Sequence, residues 1–267
     1  MCIAVFMWEA HPIYPFVLLL NRDEYHSRPT EPLGWWEGGV ILGGRDGLAG
    51  GTWLASAKDG RLAFITNVRE TQLIPEAMSR GHLPVHFLKS KKNPMVFAEE
   101  VVAEANLYNG FNLVLADLCS KSLVYVTNRP KENGSFISEV SPGIHVLTNA
   151  SLDSPWPKAQ QLDHNFREVL AEYGGEELPI KEMVSKLMLD TTKDKEILPP
   201  GIYSPEIEYQ LSSIYVDCAR PKGRYGTRNQ SALSVKSNGD VCLYERYLEK
   251  DDIWKEKTII YQIEMTI

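Results

Sequence analysis

The chain has 267 residues, of which 43% are hydrophobic and 24% charged, and its formal net charge is −7. This composition is that of a globular protein with a sizeable core, and the negative charge argues against nucleic acid or anionic membranes as partners. The four cysteines show no metal-ligand spacing and are too few for a disulfide framework, so we expect a reducing compartment. No stretch approaches the roughly 20 apolar residues of a transmembrane helix, so none is predicted.

The first half of the chain predicts strands followed by helices. Short apolar runs bounded by Gly, Pro or Asp-Gly turns predict strands or hairpins over 3–7, 16–20, 38–44 and 50–67. Apolar residues at helical spacing predict helices over 79–88 and 94–105, the second with Asn93 as its N-cap.

The second half predicts more strands around two helices. A hairpin is expected over 109–128 and a strand over 143–149. Helices are expected over 155–173 and 180–189, before a polar, Pro-rich loop over 190–211. Strands are predicted over 213–217, 231–236, 241–246 and 258–263. Strands at both ends with helices between them predict an α+β protein, with two stacked antiparallel sheets covered by helices in one domain over 1–267.

Polar residues follow several of these predicted strands. Asn21 to Glu24 come directly after a buried strand, where charges are costly unless they are paired or used. Asn67 and Asn149 are each the second residue of a Thr-Asn pair at the end of a predicted strand, and Arg228 comes just before a further predicted strand. Taken alone, the first group is a surface ion-pair cluster and each Thr-Asn a turn former. Together with a cysteine at position 2, they indicate a site.

The group contains the nucleophile and base of an acyl-transfer site. Cys2 supplies a thiol, and removal of Met1 frees its α-amine, whose ordinary pKa of about 7.7–8.0 suits a base near neutral pH. Asp23 would orient that amine. The chemistry therefore requires that Met1 be removed.

The same group contains the electrostatic parts of such a site. An amide NH₂ of Asn67 or Asn149 can donate a hydrogen bond to the developing oxyanion, which is worth about 10²–10³ in rate. Arg22 and Arg228 would lower the pKa of the thiol and hold a carboxylate partner. The sequence thus predicts a site made of Cys2, Arg22, Asp23, Asn67, Asn149 and Arg228.

Long ordered motifs extend this pattern over nearly the whole chain: "MCI", "NRDEYHSRP", "GGTWLA", "YNGFNLVLADL", "GIHVLTNASLDSPWPK" and "GRYGTRNQS". With them the sequence resembles the NRDE family, also called the transport and Golgi organisation protein 2 family. That family is similar to N-terminal nucleophile hydrolases of the bile salt hydrolase, penicillin V acylase and acid ceramidase group.

The resemblance implies a four-layer αββα sandwich and a role for each matching residue. It implies Cys2 as nucleophile, Asp23 as amine partner, Asn149 as oxyanion donor and Arg228 as site arginine. Asn67 falls where those enzymes place a second oxyanion or substrate contact. The sequence departs from the hydrolases at Leu20, where they carry an arginine. Here the arginine is Arg22, directly before Asp23.

Three functions stay open at this point. One is an amide, ester or thioester hydrolase or acyltransferase that requires no cofactor or metal. The second is a carrier of haem or acyl-CoA lipids, for which Trp35, Trp36 and His26 are the candidate contacts. The third is a structural or scaffolding protein of the secretory pathway, in which the polar cluster serves only stability. The resemblance links the family to Golgi organisation and secretion, lipid metabolism, mitochondria and haem trafficking, so we expect a cytoplasmic protein associated with the mitochondrion or Golgi.

Overall fold

The computed structural model describes residues 2–129, 136–195, 201–249 and 252–264. The strands are β1 (Ile3–Trp8), β2 (Phe16–Tyr25), β3 (Thr30–Trp35), β4 (Ile41–Asp46), β5 (Leu54–Ala57), β6 (Arg61–Asn67), β7 (Phe111–Asp117), β8 (Ser122–Thr127), β9 (Phe136–Glu139), β10 (Gly143–Leu147), β11 (Asp217–Arg220), β12 (Gly223–Val235), β13 (Asp240–Leu248) and β14 (Trp254–Gln262). The helices are α1 (His82–Ser90), α2 (Pro94–Ala103), α3 (Pro157–Tyr173), α4 (Ile180–Leu187) and α5 (Pro205–Gln210), with a 3₁₀ turn at Ala105–Leu107.

The chain forms two compact units. The first comprises Met1–Ser27, Pro142–Thr148 and Leu152–Ile260. The second comprises Arg28–Ser141, Asn149–Ser151 and Tyr261–Ile267. The prediction of one domain over 1–267 stays a prediction. No helix in the described part of the chain is long and apolar enough to cross a bilayer.

The first unit contains a seven-stranded antiparallel sheet in the order β10-β1-β2-β12-β13-β14, with β11 pairing with β12. Its centre is apolar because β1 buries all six of its residues and β2 buries its first five, from Phe16 to Leu20. Helix α3 packs against β10 and β1, and α4 packs against β12. Apolar side chains of these helices, among them Leu162, Phe166 and Met183, are buried.

The second unit contains a seven-stranded antiparallel meander in the order β3 to β9. Its tight turns have sequence causes: Gly60, with φ of +83°, joins β5 to β6 in a conformation that favours glycine. Helices α1 and α2 pack on β6, β7 and β8, and the buried rings of Phe87, Phe97 and Phe111 fill the core between them. Asn93 caps α2 by accepting a hydrogen bond from the Met95 amide at 2.9 Å, as its position predicts.

The structure confirms the predicted α+β class with two antiparallel sheets, and it corrects several boundaries. β3 and β9 were not predicted, and α5 lies within the predicted loop over 190–211, of which 196–200 fall outside the described residues. The strand predicted over 213–217 instead begins at Asp217. Both β2 and β12 run through polar residues that the apolar pattern excluded, so the predicted placement of Arg228 before a strand was wrong.

Gly226, inside β12, is required by a close approach of backbone to backbone. A Cβ at this position would lie 2.1 Å from the carbonyl oxygen of Val216, which also accepts a hydrogen bond from the Thr227 amide at 2.7 Å. We expect Gly226→Ala to lower the free energy of unfolding by at least ~1–3 kcal/mol, because it overpacks a rigid backbone contact. Urea unfolding measures this change. Gly175→Ala, which meets only the Pro12 ring at 3.3 Å, is the control, and an equal loss there would contradict the argument.

Candidate functional site

The polar end of β2 lies inside the sheet of the first unit and not at a strand end. Asn21, Arg22 and Asp23 are each at most 5% exposed, and all three pair with β12. The alternative of a surface ion-pair cluster is therefore wrong for these residues. Burial of such groups is costly unless each finds a polar partner, and the β12 residues opposite them provide several.

A β-bulge in β12 distributes these partners. Arg22 and Asp23 are consecutive, but their partners Asn229 and Thr227 are two residues apart, so Arg228 is the extra residue of the bulge. The Thr227 hydroxyl donates to Asp23 Oδ1 at 2.7 Å, and Arg22 Nη1 donates to Asn229 Oδ1 at 3.4 Å. The bulge thus gives two adjacent β2 residues, on opposite faces, a polar partner each.

Cys2 lies beside this cluster. It directly precedes β1, in which Ile3 pairs with Asn21. The Asp23 amide faces Cys2 Sγ at 3.5 Å, and Cys2 Sγ lies 3.9 Å from the Asp23 carbonyl oxygen. Arg228 Nη1 donates to the Tyr25 carbonyl at 3.3 Å, two residues along β2. The first unit therefore brings together four of the six predicted site residues: Cys2, Arg22, Asp23 and Arg228.

The pKa of the Cys2 thiol is raised above its ordinary value, chiefly because burial penalises the thiolate. The Asp23 carboxylate raises this pKa further, whereas the positive amino terminus and Arg22 oppose both effects. Arg22 thus acts in the predicted direction, but burial outweighs it. Removal of Met1 would move the amino-terminal charge onto Cys2 itself and strengthen the opposing effect.

Only the thiolate form of Cys2 reacts with iodoacetamide, so the alkylation rate should rise with pH. In the protein that retains Met1, we expect this rate to reach half its maximum above pH 9.0, the ordinary pKa of a thiol. Arg22→Gln removes a charge that favours the thiolate and should move this midpoint higher. Peptide mass spectrometry over a pH series measures both. Lys222→Gln, at an exposed residue, is the control. A midpoint below 9.0 would contradict the dominance of burial.

Asn21 does not belong to the chemistry of this cluster. Its Nδ2 donates to the carbonyls of Met188 at 2.8 Å and Ile214 at 3.0 Å, and Gln230 Nε2 donates to the same Met188 carbonyl at 2.8 Å. Asn21, the first residue of the NRDE tetrad, therefore binds the chain segments around Met188 and Ile214 to the sheet. Leu20 is buried among apolar residues of the core.

The second unit brings together the other two predicted residues. Asn149 is 5% exposed, and its Nδ2 donates to the Asn67 carbonyl at 2.6 Å, while the Arg69 amide donates to the Asn149 carbonyl at 2.9 Å. Asn149 Oδ1 is buried and has no hydrogen-bond partner in the described part of the chain. The Asn67 side chain is exposed at the end of β6. Of the two amides, Asn149 is the one held in place.

Sequence reasoning missed Tyr225 and the role of Thr227. The Tyr225 hydroxyl donates to the Asp23 carbonyl at 3.4 Å, and its ring packs edge-on against Tyr25 at 5.1 Å. Burial, and secondarily the Asp23 charge, raises the pKa of Tyr225 well above its ordinary value, so it is a neutral donor. The alternation of "YGT" could have indicated both residues, since positions two apart share a sheet face.

The three candidate contacts for haem or lipid do not form one cluster. Trp36 lines a cavity of about 670 Å³ in the second unit, with His82 and His86 on α1 and the cations Arg45, Lys89 and Lys91. Trp35 instead packs edge-on against Tyr261, with a ring-centre distance of 5.3 Å.

His26 belongs to the first unit and lies 3.9 Å from Asp252. Burial, together with Arg224 and Arg228, lowers the pKa of His26, so its imidazole is neutral at pH 7. Among the described residues, no group of three or more His, Cys, Asp or Glu could hold a metal ion.

The described residues define an α+β protein with two antiparallel sheets and a cysteine-aspartate cluster next to its N-terminus. Residues 1–250 match the family described as Transport and Golgi organisation 2. The human Transport and Golgi organization protein 2 homolog is 33% identical, with 99% of this chain and 100% of that protein covered. The chain belongs to the Transport and Golgi organisation 2 family, which confirms the resemblance drawn from its motifs.

Solved structures give more distant likenesses. A Caenorhabditis elegans N-acylethanolamine-hydrolyzing acid amidase ortholog is 13% identical with a TM-score of 0.42, covering 87% of this chain and 92% of that one. A variant of conjugated bile acid hydrolase from Clostridium perfringens is 12% identical with a TM-score of 0.45, covering 99% and 98%.

Proposed function

We propose that Cys2, exposed as the first residue by removal of Met1, is the nucleophile of an acyl transfer from a small amide, ester or thioester. The observation that carries the proposal is the contact of Cys2 Sγ with the Asp23 amide at 3.5 Å, next to a carboxylate oriented by Thr227 at 2.7 Å. A thiol and a charged, positioned orienting group are the first requirements of such a site.

In the proposed reaction the Cys2 thiolate attacks the substrate carbonyl, and a C–S bond forms as the bond to the leaving group breaks. The α-amine of Cys2 takes the thiol proton and passes it to the leaving group. Water or another acceptor then releases the acyl group and restores the thiol. Asp23 orients the amine, Arg22 favours the thiolate, and the role of Arg228 as site arginine stays a prediction.

The test combines the mass of the native N-terminus with trapping of an acyl-enzyme by a thiol-reactive acyl probe. We expect a chain that begins at Cys2 and a probe adduct on that residue. Cys2→Ala should abolish the adduct, whereas Cys218→Ala, at a buried thiol of the same unit, should retain it. Retention of Met1 in the native protein, or labelling that Cys2→Ala leaves unchanged, would refute the proposal.

A second candidate function is a non-catalytic carrier of haem or acyl-CoA lipids. The cavity beside Trp36 favours it, because a volume of about 670 Å³ lies in the range of small-molecule sites and its wall carries Arg45, Lys89 and Lys91, suited to an anionic ligand. Titration with haem followed by absorbance, and with palmitoyl-CoA followed by Trp fluorescence, tests it. Binding that Trp36→Ala weakens would support a carrier, and the absence of binding to either ligand would refute it.

We propose a cytoplasmic location with association to the Golgi or mitochondrion. The relatives' name, which refers to transport and Golgi organisation, supports the first association. Imaging of a C-terminal fluorescent fusion, which leaves the N-terminus free for processing, tests both. A signal confined to another compartment would contradict the proposal.

A further inference from the structure

Arg220, the last residue of β11, is a cation whose surroundings differ from those of the arginines that form ion pairs. Five others form salt bridges with carboxylates: Arg28, Arg61, Arg129, Arg167 and Arg224. Within the described residues Arg220 forms none, although it is half-buried, and its Nε is buried with no hydrogen-bond partner. A partly buried cation without a counter-charge is unfavourable unless a ligand supplies one.

Two tyrosine rings hold the Arg220 guanidinium in place. Its central carbon lies 4.0 Å from the ring centre of Tyr203 and 5.3 Å from that of Tyr225. A guanidinium stacked on aromatic rings is pre-organised, and its in-plane N–H groups match the two oxygens of a carboxylate. The side chain is therefore fixed in a form suited to anion binding.

The strand register places Arg220 on the same sheet face as the Cys2 cluster. Tyr225 pairs with Cys218 on one side and with Tyr25 on the other. Arg220 is two residues beyond Cys218, and Asp23 two residues before Tyr25, so alternation puts Arg220, Tyr225 and Asp23 on one face. The Tyr225 hydroxyl contacts the Asp23 carbonyl at 3.4 Å, and thus the Tyr225 ring spans the distance from Arg220 to the residue that contacts Cys2.

We propose that Arg220 binds a carboxylate of the substrate that reacts at Cys2. The substrate class is an amide or thioester that carries a carboxylate in addition to the reacting carbonyl. A monoanion fits better than a phosphate dianion, because the neighbouring cation Arg224 is already bound by Asp217 and Asp252. This inference rests on the proposed acyl-transfer site.

The test compares two maleimides as probes of Cys2, the neutral N-ethylmaleimide and the anionic 3-maleimidopropionate. Their rate constants for labelling Cys2 are measured by peptide mass spectrometry, so the assay requires the thiol but no turnover. The quantity compared is the labelling rate constant of the anionic maleimide divided by that of the neutral one. We expect Arg220→Gln to lower this ratio about tenfold, which corresponds to the loss of a charge-assisted hydrogen bond. Arg220→Lys should retain part of the ratio, and Lys222→Gln, an exposed cation in the turn before β12, should leave it unchanged.

An unchanged ratio in Arg220→Gln, with Cys2 still labelled by both reagents, would overturn the inference. Thermal unfolding of each variant shows whether it is folded. If Arg220→Gln is unfolded, Arg220→Lys decides: a reduced ratio supports the inference and an unchanged one overturns it. A protein that shows the Arg220 effect but no acyl-enzyme would refute the proposed function while keeping the anion site.

Discussion

Asp23→Asn is expected to slow acylation of Cys2 by about 10²–10⁴-fold, the usual contribution of acid-base catalysis, while the fold persists. The substitution keeps the shape of the side chain and an oxygen that can accept the Thr227 hydroxyl, now at 2.7 Å. It removes the negative charge that, in the proposed function, orients and stabilises the protonated α-amine. The effect should be large because Asp23 is only 5% exposed, so water cannot replace the charge effectively.

The measurement is the rate of acyl-enzyme formation in a single turnover, together with urea unfolding. Glu24→Gln is the matched control, because it makes the same charge change at the adjacent residue, whose carboxylate accepts a hydrogen bond from the Tyr25 amide at 2.8 Å. We expect that control to change acylation by less than about threefold, because Glu24 is half-buried and solvent screens its charge better than that of the buried Asp23. Equal losses in both variants would show that Asp23 acts only through net charge.

Asn149→Ala is expected to lower the acylation rate by about 10²–10³-fold if its amide stabilises the oxyanion. Its Nδ2 carries two hydrogens, of which the Asn67 carbonyl accepts one at 2.6 Å. Loss of the hydrogen bond to Asn67 should also lower the free energy of unfolding by about 1 kcal/mol. The two effects are separable because the first appears in the rate and the second in urea unfolding.

Asn67→Ala is the comparison for this variant. The Asn67 side chain is exposed, and its backbone carbonyl, which holds Asn149, survives the substitution. Asn67→Ala should therefore slow acylation less than Asn149→Ala and leave stability nearly unchanged. A rate for Asn149→Ala equal to that of the unsubstituted protein would remove Asn149 from the catalytic group.

The sheet class and most hairpins followed from the sequence because their signals are local. Apolar runs bounded by Asp59-Gly60 or Asn238-Gly239 specify a turn and its two strands, and both are present. β2 and β12 were predicted too short because hydrophobicity was taken to mark the strand. Their polar ends are strands because each supplies the other's hydrogen-bond partners, a dependence between residues about 200 positions apart.

The residues of the candidate site were chosen by type, and their partners could not be predicted from the sequence. The presence of Cys2, Asp23 and Arg228 indicated acyl-transfer chemistry, and the structure places them in one unit. Thr227 was missed although the alternation of "YGT" could have indicated it. Arg220 was not assigned, since its position can be inferred only from the register of β11 and β12. The direction of the pKa shift of the Cys2 thiol could not be predicted from the sequence either, because its main cause is burial, which is a property of the folded chain.

The bulge in β12 adds a residue without changing the pairing on either side of it. Thr227 is opposite Asp23 and Asn229 is opposite Arg22, so deletion of residue 228 would leave these as two consecutive pairs of a regular antiparallel ladder. Thr227 and Tyr225 would keep their places opposite β2, and the Arg228 side chain, with its hydrogen bond to the Tyr25 carbonyl, would be lost. The fold should therefore tolerate deletion as well as substitution at 228, and removal of this one residue tests its role while the strands that carry Asp23 and Thr227 stay paired.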